Sequence, residues 1–380
     1  MAKKSAGGRP VKFGIIGCGV ISHFHAQAIQ ASKKMRLVAV FDVRRESAEA
    51  VGRKFGVAHY ADMLSFLAHP GMEAVTVGTP SGAHMDPVIA AMKAGKHVIC
   101  EKPLEITLEK CDRMIAEAKK AGVVLSVVFP SRFQPGVREM KRAIDAGRFG
   151  RLTSCDAIVK WYRTQAYYDS GAWRGTWGLD GGGALMNQSV HTVDLLLHLA
   201  GDVKELVAFA GCLAHQRIEV EDEAVASLRF KSGSLGFLEG SACASPGMSR
   251  YLHISGEKGT AYLMDELVTD WKFAEPKKGD ETMVERFGPK VKKAGPGAED
   301  PRAISYLPHM RQFEDVCSAI RTGREPLVTA ASARKATELI LAIYESALNG
   351  GKRVELPLKR TPKLSPMPGR DGRTPVKGKK

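Results

Sequence analysis

The chain has 380 residues, 44% hydrophobic and 26% charged, enough apolar material for a sizeable core divided between two domains; this excludes a disordered or fibrous chain. Its formal net charge of +15 is concentrated at the ends: residues 1–12 carry Lys3, Lys4, Arg9 and Lys12, and residues 359–380 carry eight Lys or Arg against Asp371, so the nearly balanced body argues against a nucleic-acid partner. No run reaches the ~18–20 apolar residues of a membrane span, and seven scattered cysteines with no C-x-x-C pair and no His at zinc spacing indicate free thiols, no metal centre and a cytoplasmic location.

Residues 1–10 form a basic arm without apolar periodicity, for which disorder is expected. Val11–Ile16 reads as a buried strand, followed at once by Gly17-Cys18-Gly19-Val20-Ile21-Ser22 and an apolar helical stretch through Ile29. Gly17 permits the tight turn, and Gly19 lets the backbone approach a pyrophosphate lying on the helix N-terminus; Ser22, still small, stands where a third glycine is usual. The next strand, residues 37–41, ends in Asp42, whose carboxylate accepts hydrogen bonds from ribose hydroxyls and repels a 2′-phosphate, so NAD is expected over NADP. Arg44 and Arg45 leave another reading open, pairing with a 2′-phosphate or stacking on adenine. Strand 74–78 and helix 84–94, strand 97–100 and helix 108–121, and strand 123–129 follow, with Gly95 and Gly122 at helix C-terminal positions. This alternation specifies a doubly wound parallel Rossmann sheet over residues 11–130, which binds ligands beyond its strand C-terminal ends. Two such ends carry chemistry, Thr79-Pro80-Ser81 and Glu101-Lys102-Pro103. The Lys102 ammonium can stabilise negative charge on a substrate oxygen; it can also be a surface residue paired with Glu101 or Glu105.

From residue 131 to 358 the pattern changes. A helix near 137–146 precedes alternating segments at 152–162, 206–214, 224–230 and 235–243, with turns at Lys231-Ser232-Gly233-Ser234 and Glu257-Lys258-Gly259, and helices end the region at 310–322 and 332–348. The expectation is an α+β domain with one large, mainly antiparallel open sheet, whose uncovered face calls for a partner. Residues 161–177 gather Trp161, Tyr162, Tyr167, Tyr168, Trp173 and Trp177 with Arg163 and Arg174. Sugar faces stack on such rings and Arg forks onto carboxylate or phosphate, but a subunit interface favours the same residues. Gly181-Gly182-Gly183 then opens a helix on which Met186, Val190, Val193 and Leu197 make an apolar face, while Asn187, His191, Asp194 and His198 make a polar stripe able to face a cleft. By itself His191 is either a base or a helix-surface residue hydrogen-bonded by Asp194. Residues 359–380 read as a disordered basic tail serving solubility.

Over residues 11–358 these motifs resemble the glucose-fructose oxidoreductase and inositol dehydrogenase (Gfo/Idh/MocA) family. The resemblance rests on the glycine loop with Asp42, Thr79-Pro80-x-x-x-His84, Glu101-Lys102-Pro103, the Gly181 to His191 segment, Gly256-Glu257-Lys258-Gly259 and Ala333-Arg334-Lys335-Ala336. It implies that Lys102 is catalytic, with a Lys102-Pro103 bond commonly cis, and that His191 is the catalytic histidine. Many members carry Asp four residues before that His; here Asn187 stands instead, leaving His191 as sole base and Asn187 to orient substrate. The resemblance further implies cofactor contacts from Gly17, Cys18, Gly19, Val20, Ile21, Asp42, Arg44, Thr79, Pro80, His84, Glu101, Trp173 and Arg174. Arg132, Arg163, Tyr168 and Trp177 are expected at the substrate, and the last helix is expected to pack on the nucleotide domain. The implied activity is hydride transfer between a secondary hydroxyl of a sugar or sugar derivative and nicotinamide, by a homodimer or homotetramer joined through the open sheet face. Alternatives are a redox-neutral, NAD-dependent glycoside-cleaving or eliminating enzyme and a non-catalytic, cofactor-bound sensor.

Overall fold

The computed structural model describes residues 9–290 and 305–369, so residues 1–8 of the basic arm and 370–380 of the tail, for which disorder is expected, lie outside the described residues. In chain order the elements are β1 (Val11–Ile16), α1 (Val20–Gln30), β2 (Met35–Phe41), α2 (Arg45–Phe55), β3 (Ala58–Tyr60), α3 (Met63–Leu67), β4 (Ala74–Val77), α4 (Met85–Lys93), β5 (His97–Cys100), α5 (Leu108–Ala121) and β6 (Leu125–Val127). There follow α6 (Pro135–Asp145), β7 (Leu152–Lys160), α7 (Gln165–Asp169), α8 (Val190–Ala200), β8 (Val203–Gly211), β9 (Glu223–Phe230), β10 (Leu235–Ser241), β11 (Tyr251–Gly256), β12 (Gly259–Met264), β13 (Leu267–Phe273), α9 (Met283–Phe287), α10 (Leu307–Thr322), α11 (Ala330–Leu348) and β14 (Val354–Glu355). The described residues divide into two units, one of residues 9–105, 110–130 and 305–333, the other of 106–109, 131–290 and 334–369.

In the first unit six strands pair in the order β3-β2-β1-β4-β5-β6, all parallel. Phe13, Ile15 and Ile16 of β1 and every residue of β4 are buried, as expected of strands covered on both faces. The apolar face of α1 (Ala26, Ala28, Ile29) joins Phe13, Ile15 and Leu37 in one core, which Phe313, Val316 and Cys317 of α10 complete. The rings of Phe13 and Phe313 stack at 6.3 Å. α10 thus belongs to the first unit and packs on α1, while most of α11 belongs to the second unit.

The second unit holds eight strands in the order β13-β12-β11-β7-β10-β9-β8-β14, antiparallel except for the parallel β7–β10 pair. Alternation along β7, β8 and β9 sends one set of side chains inward and the other out. Val207, Phe209, Val225, Leu235, Phe237, Tyr251 and Tyr262 are thereby exposed, Phe209 at 61%. Tertiary structure overrides composition in the first half of the basic tail. Met367 is buried, its N–H donates to Glu219 O (2.9 Å), and Cys212 N–H donates to Pro368 O (2.9 Å), so the tail is anchored at Met367 and Pro368 although most of its side chains are exposed. No helix among the described residues is long and apolar enough to cross a membrane.

Candidate functional site

In the first unit the C-terminal ends of β1, β4 and β5 lie side by side, with Ile16 in register with Val77 and Val77 with Cys100. Three loops therefore leave one sheet edge together, at Gly17, Gly78 and Glu101, where the strand order reverses between β1 and β4. Gly17 has φ +92°, and a Cβ there would press on the Gly78 backbone at 2.9 Å, so both conformation and packing require glycine. Gly19 is different. Its φ of −77° suits any residue and no protein atom lies within 4 Å of where its Cβ would be, so the protein itself gives no reason for its missing side chain. No side chain caps α1, whose first turn offers backbone N–H groups beside that open space, with Val20 61% exposed. These residues fit a pyrophosphate.

Asp42 is anchored by Cys18 N–H to Oδ2 (2.8 Å) and Arg44 N–H to Oδ1 (2.9 Å), which ties the glycine loop to the end of β2 and leaves carboxylate lone pairs for ribose hydroxyls. The Arg44 side chain is exposed beside it, with its Nε 3.8 Å from Oδ1. Cys18 contributes its backbone; burial, then Asp42, pushes its thiol up to about 12, so it is not a nucleophile. Ile21 packs against Gly78, where a Cβ would crowd its Cγ2 at 2.8 Å.

Lys102 is half-buried in a loop held from both sides, and the Lys102-Pro103 peptide is cis. His84, buried, lies between the Lys102 loop and the Thr79-Pro80 loop, with Nδ1 2.9 Å from Pro103 O and Nε2 3.0 Å from Thr79 O. Its desolvation favours the neutral ring, in which one nitrogen donates. On the other side the buried Glu101 carboxylate accepts the Lys102 N–H (3.0 Å) and lies 3.0 Å from His25 Nε2. Burial pushes this carboxyl up, but the His25 hydrogen bond and the nearby positive charges outweigh it and bring it to about 2. Glu101, His25 and His309 converge with donor atoms within 4.8 Å of one another. The His25–Glu101 hydrogen bond already accounts for that approach without a metal ion.

In the second unit Gly181, Gly182 and Gly183 lead into a π-helical turn, Ala184–Ser189, and then α8. The polar stripe expected on this helix is not uniform. Asn187 and His191 are half-buried, whereas Asp194 is buried and receives a bidentate pair from Arg132, Nε to Oδ2 at 2.8 Å and Nη2 to Oδ1 at 2.5 Å. Asp194 thus belongs with the inner face, and Arg132, expected at the substrate, is committed to it. Burial, then Arg132, drives the His198 imidazole down to about 3, so that ring is neutral.

Asn187 donates to Asp180 and accepts from Gln188 Nε2 (3.3 Å), which also donates to Tyr167 Oη (3.1 Å). Arg174 continues the network, donating to Tyr167 Oη at 2.6 Å and stacking on the Trp173 and Tyr167 rings. Arg163 is buried, donates to Tyr162 O and lies over Trp161 and Tyr167. Tyr168 is buried against Tyr167 and His215, and Trp177 donates Nε1–H to Ser365 O (3.1 Å). Tyr168 is therefore packing for the strip.

Sequence reasoning missed four supporting residues. Asp180 gives Asn187 a carboxylate partner from outside the helix, and His25 underlies Glu101. Glu221, buried, accepts Gly183 N–H (3.0 Å), Leu185 N–H (2.7 Å) and Tyr344 O–H (2.9 Å), holding the entry to the π turn. Cβ atoms at Gly182 and Gly183 would overlap Tyr344 Oη and the Glu221 backbone, so the glycine triplet was the legible signal for that clamp.

Against known proteins, residues 11–129 match the oxidoreductase family with an NAD-binding Rossmann fold, and residues 137–262 match the Gfo/Idh/MocA C-terminal domain. The myo-inositol 2-dehydrogenase of Thermotoga maritima is 32% identical over 265 residues, 66% of this chain and 75% of that one. The NAD(+)-dependent scyllo-inositol 2-dehydrogenase of Bacillus subtilis is 26% identical over 92% of this chain and 97% of its own. Among solved structures, the WlbA dehydrogenase of Bordetella pertussis, in complex with NADH and UDP-GlcNAcA, superposes with a TM-score of 0.81 at 34% identity, covering 92% of this chain and 100% of that one. The chain belongs to the Gfo/Idh/MocA family. It is an NAD-dependent oxidoreductase transferring a hydride between a CH–OH group of a sugar or sugar derivative and nicotinamide.

Proposed function

We propose that Lys102 and His191 are its catalytic residues and that its substrate is a sugar derivative carrying an anionic group. The observation that carries the reading is the arrangement in the first unit, where a loop fitted to a pyrophosphate and a Lys102 loop held on both sides leave the same sheet edge. NAD, when bound, accepts the hydride from the alcohol carbon. His191 serves as base, its imidazole taking the hydroxyl proton, and Lys102 stabilises the negative charge that develops during hydride transfer. Asn187, held by Asp180 and Gln188, orients the sugar.

The anionic substituent is supported by Arg163 and Arg174 among the aromatic residues of 161–177 and by the similarity to a dehydrogenase solved with UDP-GlcNAcA. The protein acts in the cytoplasm, a location that its seven unpaired cysteines suit. It works as a homodimer or homotetramer joined through the outer face of the large sheet, where Phe209, Val225 and Tyr251 are exposed. Three measurements test this. His191→Ala should bind NAD normally and lose at least ~100-fold in turnover; near-normal turnover would remove His191 from the chemistry. A panel of UDP-GlcNAcA, myo-inositol and scyllo-inositol followed by NADH formation should rank UDP-GlcNAcA first, whereas glycoside cleavage without net NADH would favour the redox-neutral reading. Phe209→Glu should shift the light-scattering mass toward monomer; a wild-type monomer would refute the assembly.

A further inference from the structure

His25 presents a problem that the cofactor loop does not solve. It sits in the middle of α1, fully buried in the first unit, at a position where an apolar ring would fill the space without the cost of desolvating two ring nitrogens. Both nitrogens are satisfied. With the proton on Nε2, the ring donates to Glu101 Oε1 at 3.0 Å and accepts the Thr76 hydroxyl at Nδ1, 3.2 Å away. Thr76 lies on β4 and is itself buried, so α1, β4 and the end of β5 are joined by one polar chain. The chain ends on Lys102, because the second Glu101 oxygen accepts the Lys102 backbone N–H at 3.0 Å. The Phe313 and His309 rings pack against the imidazole, with centroids 5.2 Å and 5.9 Å away.

We propose that His25 is a positioning residue for Lys102: through Glu101 it fixes the backbone from which the Lys102 side chain departs toward the cofactor edge. The inference rests on Lys102 serving the cofactor reaction. A carboxylate held by only one of its two donors can rotate about its terminal bond, and the Lys102 N–H would follow it. With His25 at one oxygen and Lys102 at the other, that rotation is blocked, and the loop is held between this pair and the His84 contact to Pro103 O.

Two amide substitutions separate the ring nitrogens. His25→Gln places an N–H near the Nε2 position and keeps the link to Glu101, whereas His25→Asn reaches only as far as Nδ1 and loses it. The readout is reductive methylation of Lys102 in the full-length protein, followed by peptide mass spectrometry with and without saturating NAD. In the wild type, NAD should slow labelling of Lys102 about tenfold, the equivalent of one charge-assisted interaction. His25→Asn should lose most of this protection while NAD affinity, from NADH fluorescence, changes less than about threefold, and His25→Gln should retain it. A role confined to stability would lower the melting temperature of both variants and leave protection intact in each; that result overturns the proposal. If wild-type Lys102 is not protected by NAD at all, the assignment of Lys102 itself fails. Protection equal in the wild type and in His25→Asn sinks the His25 inference alone.

Discussion

Replacing Glu221 with glutamine isolates the cost of a charge buried beneath the glycine entry to α8. Glu221 is fully buried, and that burial pushes its carboxyl from the ordinary 4.5 up to about 7, against the opposing hydrogen bonds from Leu185, Gly183 and Tyr344. The folded-state value lies above the unfolded one, so the sign follows directly. Below about pH 4.5 the group is protonated in both states and nothing is lost; between 4.5 and 7 the unfolded chain releases its proton first and stability falls as pH rises; above about 7 the loss is complete. At ~1.4 kcal/mol per tenfold, the whole loss is roughly 3 kcal/mol. Glu221→Gln mimics the protonated acid at every pH and lacks this decline. Urea unfolding at intervals from pH 4.5 to 8 should show the stability of the variant minus that of the wild type rising by roughly 3 kcal/mol and levelling above pH 7. A difference that stays flat across the range would mean that Glu221 is ionised throughout, held by its three donors, and the reasoning from burial would be refuted.

Asp42→Ala removes both the ribose acceptor and the anchor of Cys18 N–H, so the NAD dissociation constant should rise at least ~10-fold while discrimination against NADP narrows, read by titrating each dinucleotide. Gly17→Ala forces a Cβ into the left-handed region and onto Gly78, and calorimetry should show dinucleotide affinity falling about tenfold or more. Arg132→Met leaves Asp194 buried without its bidentate partner, at a cost of about 3–5 kcal/mol in denaturant unfolding; adding Asp194→Asn should restore part of it, and additive losses would exclude the pair as the cause.

Much of the first unit was legible in the sequence because its signals are local. The glycine turn, the β-α alternation, Asp42 at a strand end and the helix boundaries at Gly95 and Gly122 depend on neighbouring residues, and the strand and helix positions follow them closely. In the second unit the sheet class was legible from alternation. The stripe on α8 was misread at Asp194, which is buried with Arg132 as its partner from 62 residues earlier, and the π turn before α8 depends on Glu221, 36 residues beyond Leu185. Basic composition likewise predicted a tail solvated throughout, whereas Met367 is buried and the backbone around it pairs with Glu219 and Cys212.

What the sequence by itself determined is the chemistry that a short stretch of chain can hold, namely a phosphate-binding turn, a ribose acceptor, and Lys102 after a strand. These follow from backbone freedom and strand or helix periodicity, which operate over a few residues. Only the tertiary structure decided which of the buried polar groups support them. His25 meets Glu101 across 76 residues, Arg132 meets Asp194 across 62 and Tyr344 meets Glu221 across 123, each pair brought together because a buried charge or N–H has to find its partner wherever the fold supplies one.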